Sequence, residues 1–226
     1  MIGIFDSGAG GFTAISELRR LVPSADICFF ADRKNAPYGT KSKNELIKLV
    51  ESDILKLYRI GADKILMACC TASTVYESLA SKMKRLAIPI IEPTAREAAR
   101  ITTYGKIGVI ATEATASSGA FSKALAKFPS VKEVYELPLQ RLVALVEDGA
   151  VDGNLKSRER DELSRLLAPM KNKIDTLILG CTHFPHLERE ISGCLPGVRL
   201  VSSSREGARE ISKITKNTGK GKTFFL

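Results

Sequence analysis

The 226-residue chain is 44% hydrophobic and carries a net charge of +9 from 34 Lys and Arg against 25 Asp and Glu, enough apolar content for one large or two small cores. It contains no apolar run of the roughly 18 residues a membrane span needs, and a strand-like start at Met1–Asp6 leaves no room for a signal peptide, so a cytoplasmic protein is expected. Five cysteines, an odd number, argue against a disulfide framework.

In chain order, apolar runs predict strands at Ile2–Phe5, Ile27–Ala31, Ile65–Ala68, Ile88–Ile91, Ile107–Ala111, Val131–Leu137, Thr176–Leu179 and Arg199–Val201. Between them, helical periodicity covers Gly11–Leu21, Lys43–Ile60, Ser73–Leu86, Ala95–Thr102, Ser117–Phe128, Leu139–Asp148, Ser157–Met170 and His186–Cys194. This alternation predicts an α/β fold with mostly parallel sheets. Gly3-Ile4-Phe5-Asp6-Ser7 is echoed by Gly108-Val109-Ile110-Ala111-Thr112, and Ala68-Cys69-Cys70-Thr71 by Gly180-Cys181-Thr182 at a similar offset. A duplicated βα unit follows, with a boundary near Pro93. The expected domains are 1–93, with 206–226 returning to it, and 94–205, related by a pseudo-twofold axis around a shared cleft.

Basic residues are mostly interleaved with acidic ones, as in Arg158-Glu159-Arg160-Asp161-Glu162, the pattern of a solvated helix face. Nucleic acid is therefore not an expected partner, although Lys213, Lys216, Lys220 and Lys222 follow the last acidic residue, Glu210. A positive field would also attract a small dianion.

Chemistry concentrates at the carboxyl ends of the strands, where open α/β sheets place their ligands. Asp6-Ser7-Gly8-Ala9-Gly10-Gly11 lacks the third glycine of a dinucleotide loop and the lysine of a phosphate loop, but it allows close backbone approach to a ligand. A capped turn is the plainer alternative. Ala36-Pro37-Tyr38-Gly39 is a compact turn expected at the same edge, with Tyr38 and Gly39 toward the cleft.

Cys69 and Cys181 occupy corresponding strand-to-helix turns, and a helix N-terminus at Cys69 predicts a lowered thiol pKa. Cys28 and Cys194 read as packing residues. Adjacent cysteines and a Cys-x-His pair lack structural-zinc spacing, and no metal is expected. A cysteine hydrolase using His183 remains possible but leaves one cysteine without a task. Proton transfer at carbon uses both: one thiolate removes a proton from one face of a stereocentre and the other thiol returns one to the opposite face. Asp6 and His183 are the natural helpers.

The set Phe5-Asp6-Ser7-Gly8-Ala9-Gly10-Gly11, Pro37-Tyr38-Gly39, Ala68-Cys69-x-Thr71-Ala72, Ile91-Glu92-Pro93, Gly108–Thr112 with Thr115, Leu145-Val146-Glu147 and Leu179-Gly180-Cys181-Thr182-His183 resembles, in order, the glutamate racemases of the aspartate/glutamate racemase superfamily. The resemblance implies two α/β domains flanking the active site, and interconversion of L- and D-glutamate for peptidoglycan, without PLP or metal. It implies Cys69 and Cys181 as acid/base residues, Asp6 assisting the first and His183 the second, with Glu147 as a further catalytic candidate. Asp6, Ser7, Tyr38, Gly39, Cys70, Thr71, Thr115, Thr182 and His183 would contact glutamate, and a homodimer is plausible for the family. Aspartate racemase is the near alternative; the Gly180-Cys181-Thr182-His183 motif favours glutamate because the aspartate branch usually lacks the histidine. One departure is Cys70, where the family pattern has Asn. A thiol hydrogen-bonds weakly where an amide would donate and accept well. A catalytically weak relative with a binding or regulatory role is the alternative this departure raises.

Overall fold

A computed structural model describes residues 1–226. Its strands are β1 (Ile2–Asp6), β2 (Ile27–Ala31), β3 (Lys64–Met67), β4 (Ala87–Pro89), β5 (Lys106–Ala111), β6 (Glu133–Pro138), β7 (Thr176–Gly180), β8 (Arg199–Ser202) and β9 (Thr223–Phe225). They form two sheets, in the orders β4-β3-β1-β2-β9 and β6-β5-β7-β8, with every pairing parallel. Read from the opposite edge, the second sheet is β8-β7-β5-β6, so β1 to β4 and β5 to β8 repeat one topology. Cys69 follows β3 and Cys181 follows β7, its equivalent. β1 and β7 are buried along their whole length, as parallel strands covered on both faces should be.

The helices are α1 (Phe12–Leu21), α2 (Lys43–Arg59), α3 (Cys70–Ser73), α4 (Ser81–Leu86), α5 (Ile91–Ile101), α6 (Glu113–Ser118), α7 (Ala120–Leu125), α8 (Gln140–Glu147), α9 (Ser157–Leu167), α10 (Glu188–Cys194) and α11 (Ser203–Ile214). α2 starts at a capping box: Ser42 Oγ accepts from the Glu45 N–H, and Glu45 Oε2 accepts from the Ser42 N–H at 2.9 Å. Its buried stripe is Leu46, Val50, Asp53, Ile54 and Leu57, a helical spacing interrupted by one carboxyl group. None of the helices is long and apolar enough to cross a membrane.

Several elements differ from the sequence expectation. Of the helix expected over Ser73–Leu86 only the end, Ser81–Leu86, forms as α4; α3 finishes at Ser73 and a 3-10 turn, Tyr76–Ser78, lies between them. The one expected over Ser117–Phe128 divides into α6 and α7 at Gly119, whose φ of +61° suits glycine. The strand expected at Ile88–Ile91 ends at Pro89, and Ile91 already opens α5. The sequence expectation has no helix at α11, whose buried face is largely small or polar, with Ser203, Ser204, Glu206 and Gly207 beside Ala208 and Ile211, so its apolar stripe is short. It nonetheless packs against α1 and α5. β9 is a three-residue edge strand in the lysine-rich tail. Asp26 Oδ1 accepts from the backbone N–H groups of Lys220 and Lys222, which aligns the tail beside β2.

The two halves meet at the carboxyl ends of their sheets. Thr13 on α1 donates to the Gly10 carbonyl at 2.7 Å and lies 3.1 Å from the Thr182 carbonyl and 2.6 Å from Ser204 Oγ. A Cβ on Gly10 would lie 2.9 Å from His183 Nδ1 and closer still to Thr182 Oγ1. Only a residue without a side chain lets the loop after β1 approach the loop after β7 this closely.

Candidate active site

A cavity of about 160 Å³ lies between the halves, lined on one side by Ser7, Gly8, Tyr38, Gly39, Cys69, Cys70 and Thr71 and on the other by Thr112, Gln140, Glu147, Cys181, Thr182 and His183. The two motif cysteines therefore reach one space from equivalent strand ends. Glu113, Thr40 and Val143 add to the polar and apolar walls, and the lining contains no lysine or arginine. A small anion entering here would meet hydroxyls and backbone groups rather than cations.

Cys69 caps α3: its sulfur accepts from the Ala72 N–H at 3.5 Å and lies 3.6 Å from Ser7 Oγ. The expected lowering of its pKa is not found. Burial pushes the thiol up to about 11, and the nearby Asp6 carboxyl adds to the shift, outweighing the Ala72 and Ser7 hydrogen bonds. α3 is only four residues long, too little helix for a macrodipole to offset complete desolvation. Cys181 is likewise raised above the ordinary thiol range, first by burial, against the His183 backbone N–H.

His183 sits between two groups. Its Nδ1 is 3.5 Å from Cys181 Sγ and its Nε2 is 3.3 Å from Glu147 Oε1, so Glu147, at the end of α8, can orient the imidazole toward the thiol. Asp6 is placed differently from the expectation of a private partner for Cys69. Burial raises its carboxyl, which accepts from the Gly8 N–H at 2.8 Å and from Thr182 Oγ1 at 3.0 Å. It lies beneath the cavity wall and is within electrostatic range of both cysteines.

The Thr71, Thr112 and Thr115 hydroxyls form a triangle with edges of 2.9 to 3.1 Å. Thr71 and Thr112 face the cavity, whereas Thr115 is fully buried behind them and orients the other two. Cys70 lines the cavity but also belongs to an apolar cluster with Ile90, Ile91 and Phe121; burial raises its thiol, with the Ser203 hydroxyl as its polar neighbour. Cys28 is buried in the first half and Cys194 packs at the edge of the second half's core.

Tyr38 is buried, with its hydroxyl turned away into a pocket formed by Asp32 and Asp53. Sequence reasoning missed these two carboxyls, as it missed Thr112, Glu113 and Gln140. The available signals were a carboxylate on the apolar stripe of α2 and a helix-capping Thr112 three residues before Thr115.

Chemically, Cys181-His183-Glu147 has the connectivity of a nucleophile, base and orienting acid. What a hydrolase would leave unexplained is Cys69, a second buried thiol on the opposite wall with its own hydroxyl partner. No group of three or more His, Cys, Asp or Glu side chains is disposed to hold a metal ion.

A glutamate racemase of Aquifex aeolicus is 38% identical over 221 residues, spanning 97% of this chain and 85% of that one. The crystal structure of a glutamate racemase isoform from Bacillus anthracis superposes with a TM-score of 0.86 at 32% identity, covering 100% of this chain and 86% of that one. The Francisella tularensis glutamate racemase, crystallised with D-glutamate, gives a TM-score of 0.84 at 30% identity over 99% of this chain and 86% of that one. The Asp/Glu/hydantoin racemase profile matches residues 18–211, and the chain belongs to this family of isomerases.

Proposed function

We propose that the chain interconverts L- and D-glutamate by a two-base proton transfer at Cα, with Cys69 and Cys181 as the bases and no PLP or metal. The observation that carries this reading is the approach of two thiols, from topologically equivalent strand ends, to one small cavity. Glutamate is the preferred substrate because relatives at 30–38% identity are glutamate racemases, one of them crystallised with D-glutamate.

In one direction a thiolate takes the Cα proton, and the electron pair left on carbon delocalises into the adjacent carboxylate. The opposite thiol then delivers its proton to the other face and becomes the thiolate. Burial raises both thiols, so each rests protonated near neutrality. The substrate's α-ammonium brings the positive charge that favours ionisation of one of them. His183, held by Glu147, serves Cys181; Ser7 serves Cys69, and the Asp6 carboxyl acts electrostatically on both thiols. Tyr38, Gly39, Thr71 and Thr182 form the substrate walls.

The reading extends to a cytoplasmic enzyme supplying D-glutamate for peptidoglycan, to a homodimer, and to two domains, 1–93 with 206–226 and 94–205, that open around the cavity. One observation favours a second reading, a catalytically weak relative with a binding role: the Cys70 thiol occupies a wall position where the family pattern has an amide.

The test is α-proton exchange in deuterated water. Protein without added PLP, given D- or L-glutamate, should form the opposite enantiomer with deuterium at Cα. Absence of both exchange and racemisation of glutamate sinks the proposal, and turnover of aspartate alone moves it to the aspartate branch.

A further inference from the structure

Tyr38 Oη lies 2.8 Å from Asp32 Oδ2 and 2.5 Å from Asp53 Oδ2, and all three residues are buried. A phenol has one proton to donate. With both carboxyls ionised, one of the two short oxygen–oxygen contacts would have no proton between its lone pairs. The geometry therefore requires one further proton on a carboxyl group. Asp32 is the better-compensated anion, since the Asn35 amide donates to both of its oxygens, at 3.0 and 2.9 Å. Asp53 has Tyr38 as its side-chain partner and sits on the apolar face of α2 among Val50, Ile54 and Leu57. Its other charged neighbours are Asp32 and Lys56, whose ammonium stands over the Phe30 ring, 3.6 Å from its centre.

We propose that Asp53 is a positioning residue: it holds a proton, donates it to Tyr38 Oη, and so completes a chain from Asp53 through Tyr38 to Asp32 that fixes the Pro37–Gly39 wall of the cavity. The inference rests on the racemase reading for what the wall binds. Burial, with the Asp32 charge adding to it, pushes the Asp53 carboxyl up to about 7. The chain is thus complete below neutrality and loses its proton above it. Without that proton Tyr38 can satisfy only one carboxylate, and the wall it anchors loosens. The consequence falls on substrate binding more than on proton transfer at the thiols.

Asp53→Asn provides the test, because an amide N–H₂ can donate to Tyr38 Oη at every pH. For the wild type, KM for D-glutamate should rise several-fold from about pH 6 to about pH 8.5, with kcat/KM corrected against the thiol titration by following kcat in parallel. In Asp53→Asn that rise should disappear, whereas Asp53→Ala, which cannot donate, should show a raised KM throughout.

An activity-independent arm uses melting temperatures. A carboxyl with a raised folded-state pKa stabilises the fold fully below its unfolded pKa of about 3.9, and this contribution is lost as pH rises through about 7. The Asp53→Asn melting temperature should therefore gain on the wild type between about pH 5 and pH 8. A constant difference, or a KM that follows the same pH course in wild type and Asp53→Asn, overturns the proton chain. If the wild type turns over no glutamate at any pH, the racemase reading and the positioning role fail together, while the melting arm still decides where the proton resides.

Discussion

Asp6 Oδ2 accepts a hydrogen bond from Thr182 Oγ1 at 3.0 Å, so the carboxyl at the end of β1 is tied to the residue beside the cysteine of the other half. The bond joins the two halves, and the Asp6 carboxyl acts electrostatically on both thiols. Asp6 is therefore a shared electrostatic element rather than the helper of one cysteine. Its burial and raised carboxyl mean that the Thr182 hydroxyl is one of few donors available to it.

Thr182→Val should remove that donor while keeping the shape of the side chain. A buried acceptor left short of a partner costs about 1–3 kcal/mol. The urea midpoint should fall accordingly, and kcat/KM should fall because Thr182 also faces the cavity. An unchanged midpoint would show that the Asp6–Thr182 bond contributes nothing net.

Cys69→Ser and Cys181→Ser should each lower racemisation by at least ~10²-fold, since a serine hydroxyl is a far weaker acid than a thiol and a poor general base. Both variants are impaired because each turnover needs both groups. A variant retaining near-normal racemisation would remove that cysteine from the proton path. Assays in both directions with purified protein decide it.

The pH dependence follows from the raised thiols. kcat/KM reports the free enzyme, in which the Cys69 thiol is pushed up to about 11 by burial and Asp6. Only a small fraction is thiolate near neutrality, and that fraction grows with pH. kcat/KM should thus rise about tenfold per pH unit between about pH 6 and pH 8. A plateau across this range would mean that one thiol is already ionised, and that the desolvation argument is incomplete.

Gly10→Ala should be among the most damaging small substitutions in the protein. The added methyl would crowd Thr182 Oγ1 and His183 Nδ1, which belong to the opposite half and line the cavity, so any relief shifts them within the site. Overpacking of this kind costs about 1–3 kcal/mol, and displacing His183 by even 1 Å can cost ~10²-fold in rate. Gly193→Ala, where a Cβ meets open space within α10, is the control and should leave stability unchanged or raised by up to ~1 kcal/mol. Thermal unfolding and kcat/KM of the two variants provide the comparison.

Much of the fold was legible because β1 to β8 are short apolar runs separated by helical stretches, and a parallel sheet demands that pattern. α11 and β9 were not, for different reasons. α11 buries small and polar groups at the junction of the halves, where close packing replaces hydrophobicity, and β9 is three residues placed by Asp26 and the edge of β2. In the cavity, Cys69, Cys181, His183 and Tyr38 stood out by residue type and position. Thr115 was legible as a motif residue but not as a buried support for Thr71 and Thr112. The sign of the Cys69 shift depends on desolvation against helix length, a balance that spacing along a chain does not contain. Asp53 was hidden by being one carboxyl on a helix of ordinary periodicity.

Cys70 offers the sharpest test of how this chain differs from its family pattern. Its thiol lines the cavity yet packs among Ile90, Ile91 and Phe121, with Ser203 as its polar neighbour. Cys70→Asn places two N–H donors and a carbonyl where a weak hydrogen-bonding group now stands. If the amide turns toward the cavity, a contact to the substrate's charged groups worth about 1–3 kcal/mol becomes available, and kcat/KM should be kept or raised. If the amide is forced into the apolar cluster, melting temperature and activity should fall together, because a buried amide without partners is destabilising. Activity lost at an unchanged melting temperature would separate these cases from a third: the thiol itself would then take part in turnover. The retained or raised rate is the expected result, since the cavity side of Cys70 adjoins Thr71 and offers the amide polar surroundings that the cluster side lacks.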